Sequence, residues 1–171
     1  MEAWSPSIVP VNPRRIALIA GVAVGVFVLD RITKAAVVAN LQLNETRDVV
    51  GEYVRISHVR NTGAAFGLLP ERTTLLSVLS VVAVLAILYY YRTITMRSPF
   101  IAITLGMQLG GAIGNLVDRI GQGYVVDFVD VGIGSVRFWS FNVADSSIVV
   151  GIALVTLLLW IEERRTVPEP A

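Results

Sequence analysis

The chain has no cysteine. That excludes disulfides, thiolate nucleophiles and thiolate metal sites together. It is silent on redox compartment, because a chain without thiols fits either side of a membrane. There is one histidine, His58, so no multi-histidine metal site can form. A Ser-His-Asp triad would need that same residue, which sits in a β-like stretch with no nucleophile motif near it. A His-Glu-x-x-His motif and a Gly-x-x-x-x-Gly-Lys-Ser/Thr phosphate loop are also missing. No metal and no cofactor is expected. Charge is scarce as well: 16% of the 171 residues are charged, and the formal net charge is +1. A soluble domain ordinarily carries more charge, and a nucleic-acid footprint would need a basic face.

What is present is apolar. Hydrophobic residues make up 54% of the chain, and the mean hydropathy is +0.68. A membrane-crossing helix needs about 20 residues at about 1.5 Å rise each. Four runs meet or approach that length, at residues 16–40, 73–91, 100–117 and 143–161. The first is too long for a cleaved signal peptide and lacks a small-x-small exit, so it reads as a retained span. The second carries no charge and ends in Tyr89-Tyr90-Tyr91, an interfacial belt. Pro99 opens the third at a position that tolerates proline. Gly106, Gly110, Gly111 and Gly114 lie along it at spacings that admit a close helix neighbour. Trp160 stands near the end of the fourth.

Between the runs lie two segments expected outside the bilayer, 42–72 and 118–142. The first mixes Val49, Val50, Tyr53, Val54, Ile56 and Val59 with polar residues, which predicts two or three short strands. The second is punctuated by Gly121, Gly123, Gly132 and Gly134. Proline-bearing ends at 1–13 and 162–171 and a short connection at 92–98 complete one membrane domain spanning 1–171. Four spans put both termini on one side. Arg14, Arg15, Arg92, Arg97, Arg164 and Arg165 favour that side as cytoplasmic. Arg47, Arg55, Arg60, Arg72 and Arg137 lie opposite and weaken the signal.

The chemistry gathers at one membrane boundary. Asp30 and Lys34 are four residues apart on one helical face. Asn115, Asp118 and Arg119 share another face, as do Asn142 and Asp145. The segments carrying Asn61 and Asp127 emerge at the same depth. Polar groups there cost free energy unless paired or hydrated. Two close carboxylates would share one proton, as in aspartic proteases. The residues alone leave three readings open: a catalytic pair, a proton- or ion-coupled transporter, and a clamp holding helices together.

At these positions the chain resembles signal peptidase II, the lipoprotein signal peptidase family. Asp30-Arg31-Ile32-Thr33-Lys34 is similar to the family's Asp-x-x-Thr-Lys, and Asn61-Thr62-Gly63-Ala64-Ala65-Phe66-Gly67 to its Asn-Thr-Gly-Ala-Ala block. Residues 110–119 follow Gly-Gly-Ala-x-Gly-Asn-x-x-Asp-Arg. Val125-Val126-Asp127-Phe128 and Phe141-Asn142-Val143-Ala144-Asp145 complete five blocks in order. The resemblance implies a mostly α-helical membrane protein with four transmembrane helices and a small extracytoplasmic β-cradle between the first and second. It implies a bacterial inner-membrane aspartic endopeptidase that cuts prolipoproteins just before a diacylglyceryl-modified cysteine. Asp127 and Asp145 would be the catalytic dyad. Asn61, Gly63, Asn115, Arg119 and Asn142 would hold substrate or orient the dyad, with Asp30 and Lys34 in support. Asp118 ranks second as a dyad member, after a structural role beside Arg119 or Lys34. The partners implied are the signal peptide with its lipidated cysteine and membrane lipids. A monomer is expected, and the groove beside the second and third spans is expected to admit acyl chains.

Overall fold

The computed structural model describes residues 12–63, 73–94 and 98–166. Most of the proline-bearing lead, the Ala64-to-Gly67 end of the second block, the middle of the 92–98 connection and the tail from 167 lie outside the described residues. The elements run α1 (Pro13–Asn40), β1 (Thr46–Val50), β2 (Val54–Asn61), α2 (Thr73–Ile94), α3 (Pro99–Gln122), β3 (Val125–Ile133), β4 (Val136–Arg137) and α4 (Val143–Thr166).

Helices α1, α3 and α4 have spans with mean hydropathies of 2.0, 1.6 and 2.1, enough to cross a membrane by length and composition. The apolar stretch of α2, Thr73–Tyr89, is shorter. Four spans are expected from the sequence; among the described residues three helices meet both measures. Their starts are built locally. Asn12 accepts from the Arg14 amide at 3.0 Å ahead of Pro13, and Ser98 accepts from the Phe100 amide at 3.2 Å ahead of Pro99. Each cap satisfies a donor that the first turn leaves free.

Helix α3 is the central strut. Its apolar window is 61% buried, against 17% for α1 and α4, so those two turn most of their surface to the surroundings. Close approach explains the glycines. A Cβ on Gly110 would sit 2.5 Å from the Ala23 carbonyl oxygen, and one on Gly111 would overlap the Ala144 carbonyl. Opposite sides of α3 thus receive the backbones of α1 and α4. Ile19, Ala23, Ala102 and Leu109 fill the α1–α3 seam, with Val84 and Ile87 of α2 packed against it.

The strands form one antiparallel sheet in the order β1-β2-β3-β4. Strands are expected only within 42–66, yet half of this sheet comes from 118–142. The pattern Val-Val-Asp-Phe-Val-Asp-Val over 125–131 explains why: β-branched residues dominate it, whatever glycines flank it. Helix α3 also runs past the expected end at 117, to Gln122. It stops where Gly123 turns left-handed, at φ 78°, and donates to the Arg119 carbonyl. That extension puts Asp118 and Arg119 on regular helix. Val126 and Phe128 then pack on Val37 and Leu41, the last turns of α1. The sheet is thereby seated on the helix ends, with Asp127 between those two anchors.

Candidate active site

A buried ion cluster locks three helices together below the sheet. Lys34 is 2% exposed. Its Nζ donates to Asp30 Oδ2 at 2.8 Å and to Asn115 Oδ1 at 2.9 Å. It also lies 2.7 Å from Asp118 Oδ2. Arg31 closes on the other oxygen of Asp118. Asp30 Oδ1 accepts the Ala144 amide at 3.1 Å, so a carboxylate meets the positive end of α4. The absence of a side chain at Gly114 makes room, since a Cβ there would lie 2.8 Å from Asp30 Oδ2. The helical pair Asp30–Lys34 is therefore one edge of a larger network joining α1, α3 and α4. Asp118 faces Lys34 and Arg31 there.

Asp127 and Asp145 lie on the sheet side of that network and are joined through amides. Asn61 Nδ2 donates to Asp127 Oδ2, and Asn142 Nδ2 donates to Asp127 Oδ1, both at 2.7 Å. Asn115 Nδ2 donates to Asp145 Oδ1 at 2.7 Å. Asn142 also caps α4. Its Oδ1 accepts the Asp145 amide at 2.9 Å, while its own amide donates to Asp145 Oδ2 at 3.2 Å. This reciprocal pair is a capping box with aspartate in the third position. Asn142 is fully buried and touches both carboxylates.

The amides are held in turn. Asn61 Oδ1 accepts the Gly63 amide at 2.8 Å, which fixes which way its nitrogen points. Arg119 Nη2 reaches the Gly63 carbonyl at 3.5 Å, and its charge acts on both aspartates. Its Nε is buried with no partner among the described residues. Burial, and then the neighbouring Asp145 charge, push the Asp127 carboxyl up to about 7; the Asn61 and Asn142 hydrogen bonds pull the other way.

Two cavities meet here. One, of ≈ 370 Å³, holds Arg119, Asp127 and Asp145 against Val125, Val149 and Val150. The other, of ≈ 510 Å³, adds Thr62, Asp130 and Arg137 on the sheet side. Asn61, Asp127, Phe138, Trp139 and Ser140 border both. The first cavity lies apart from the groove expected beside the second and third spans. Among the described residues its walls come from the end of β2, α3, β3, the 138–141 segment and α4, and α2 supplies none.

All ten residues singled out in the sequence fall in these two connected layers. Sequence reasoning missed Arg31, quoted only as a variable motif position, and the Phe138-Trp139-Ser140 wall. Two aromatics four residues or fewer before the Asn142 motif were the available signal. His58 is remote in role: its Nδ1 lies 3.0 Å from the Leu41 carbonyl, inside the sheet-to-α1 junction. Among the described residues no group of three or more metal-ligating side chains occurs.

Comparison with known proteins matches this arrangement to a family. The model of signal peptidase (SPase) II matches residues 22–161. The lipoprotein signal peptidase of Halothermothrix orenii is 40% identical over 141 residues, 81% of this chain and 92% of that one. That of Moorella thermoacetica is 40% identical over 136 residues, covering 79% and 85%. A solved bacterial membrane enzyme superposes with a TM-score of 0.83 at 28% identity, covering 91% of this chain and 95% of the other. A second does so at 0.76 and 30% identity, over 84% and 93%. With most of its length matched by the family model and by close relatives, and its motif residues gathered at one cavity, the chain belongs to the signal peptidase II family.

Proposed function

We propose that the chain is a membrane aspartic endopeptidase that removes the signal peptide from diacylglyceryl-modified bacterial prolipoproteins, cutting just before the lipidated cysteine. The observation that carries this is one fully buried residue, Asn142, whose side-chain amide donates to Asp127 and whose backbone amide donates to Asp145 at the edge of an apolar-walled cavity. Family membership supports the same reading, since the relatives bear the name lipoprotein signal peptidase.

The chemistry divides between the two carboxyls. Near neutrality the shared proton resides on Asp127, whose affinity for it is raised. Ionised Asp145 takes a proton from water, and Asp127 donates its own to the scissile carbonyl oxygen. The Nε of Arg119, without a partner among the described residues, would hold a substrate carbonyl. Asp30 and Asp118 are already ion-paired, which supports a supporting clamp rather than an ion path. We assign four spans with both termini cytoplasmic and the sheet outside, which brings the cavity to the depth where a lipidated cysteine emerges.

The direct test is mobility-shift cleavage by the purified chain. A diacylglyceryl precursor should be cut much faster than its unlipidated counterpart; ion flux in proteoliposomes without cleavage would sink the proposal. A pH profile adds a second expectation. A carboxyl raised from 3.8 to about 7 on folding stabilises fully below its ordinary value, and this contribution is lost as pH rises through about 7. Cleavage should therefore fall above about pH 7 as the Asp127 proton leaves. The melting temperature of Asp127→Asn relative to the parent should rise over the same interval. A flat difference between pH 5 and 8 would show that Asp127 does not carry the proton.

A further inference from the structure

The cavity beside Asp145 has an unusual wall. Val149 and Val150 line it, yet they are 66% and 46% exposed. A residue that both lines a cavity and faces outward marks an opening, so this cavity opens sideways along the outer face of α4. In the proposed orientation that face meets lipid.

Trp139, 58% exposed, borders this cavity and the other one, both of which Asp127 also lines. Its segment has no regular structure but is pinned at both ends. The Phe138 amide donates to the Val131 carbonyl at 2.7 Å, and the Phe141 amide to the Val129 carbonyl at 3.1 Å. The Phe138 ring is set edge-on against Phe141 at 6.0 Å. Trp139 is thus a large apolar surface on a fixed mount, beside the carboxyl that would meet the scissile bond. Rigid aromatics of this kind give much contact area for little lost freedom.

Resting on the peptidase reading, we infer that Trp139, together with Val149 of the same cavity, reads the lipid on the substrate cysteine. The acyl chains lie against the indole and leave along α4 past Val149 into the bilayer. The residue after the scissile bond is the lipidated cysteine, and the junction of the two cavities is where that residue must sit. Lipid binding would then supply the affinity that an unlipidated precursor lacks.

The test compares precursors carrying diacylglyceryl-cysteine with unlipidated ones, using the full-length chain in detergent and parent, Trp139→Ala, Trp139→Phe and Val149→Ser forms. Trp139→Ala should reduce the lipidated-to-unlipidated ratio of kcat/KM by about tenfold, the size expected for losing one buried aromatic contact. The change should lie in KM, and Trp139→Phe should restore most of it. Val149→Ser, at an exposed position that tolerates change, should lower the same ratio less. Binding of a diacylglyceryl-cysteine peptide, the product mimic, should weaken in parallel without any cleavage step. Equal losses on both precursors, or unchanged peptide binding in Trp139→Ala and Val149→Ser, would overturn the lipid-reading role alone. Failure of the parent to cut any precursor would overturn the peptidase reading and this role with it.

Discussion

Asp127→Asn and Asp145→Asn should each slow cleavage of a lipidated precursor by on the order of 10²–10⁴-fold or more, the size of a general acid or base contribution. An amide can neither take a proton from water nor donate one to the scissile carbonyl oxygen. The fold should survive because the shapes match and the damage is local. At position 145, an amide oxygen still accepts one of the two donors, Asn142 N or Asn115 Nδ2. The other meets an NH₂ group. At 127 the same mismatch falls on Asn61 or Asn142. Each unsatisfied contact costs about 1–3 kcal/mol, which lowers the melting temperature without unfolding the chain. The double variant should be no slower than either single one, since the two act as a unit. Normal turnover by either single variant, measured by mobility shift, would end the dyad assignment.

Lys34→Met has the largest expected effect on folding. The substitution keeps volume and removes the charge that faces Asp30, Asn115 and Asp118. Asp30 is fully buried and Asp118 is 2% exposed, so neither carboxylate can recover its hydration. Removing one partner of a buried pair costs roughly 3–5 kcal/mol, comparable with much of the stability of a small domain. Arg31 continues to hold Asp118, so Asp30 bears most of the loss. Adding Asp30→Asn should therefore recover part of the melting temperature, a coupling that a double-mutant cycle reads directly. Lys34→Arg should not rescue, because a planar fork does not fit three acceptors arranged around one ammonium. Independent, additive losses would show that the cluster is not a single unit.

Much of this was legible because membrane burial makes polar residues conspicuous. Asp30 and Lys34, four apart inside an apolar run, share a helical face and can pair, and they do. The repeated Asn-x-x-Asp spacing was visible too, but its meaning was not. Asn142 and Asp145 form the cap of α4, whereas Asn115 and Asp118 lie mid-helix, turned toward Lys34. Spacing alone cannot separate these, because both depend on where a helix begins. The same gap hid the reach of α3, whose charged end at Asp118 and Arg119 looked like an exit from the bilayer. It hid β3 as well, since flanking glycines drew attention from the β-branched core of that strand. Arg31 escaped because its ion-pair partner lies 87 positions away in sequence.

The two carboxyls of the proposed dyad come from separate elements, β3 and the first turn of α4, and Asn142 at the head of α4 hydrogen-bonds to both. On the four-span reading proposed above, a nascent chain with three helices threaded and the last one waiting holds Asp127 but no counterpart. Proteolytic competence would then switch on in a single step, at the moment the final helix docks, and a chain truncated before it stays dormant in the bilayer.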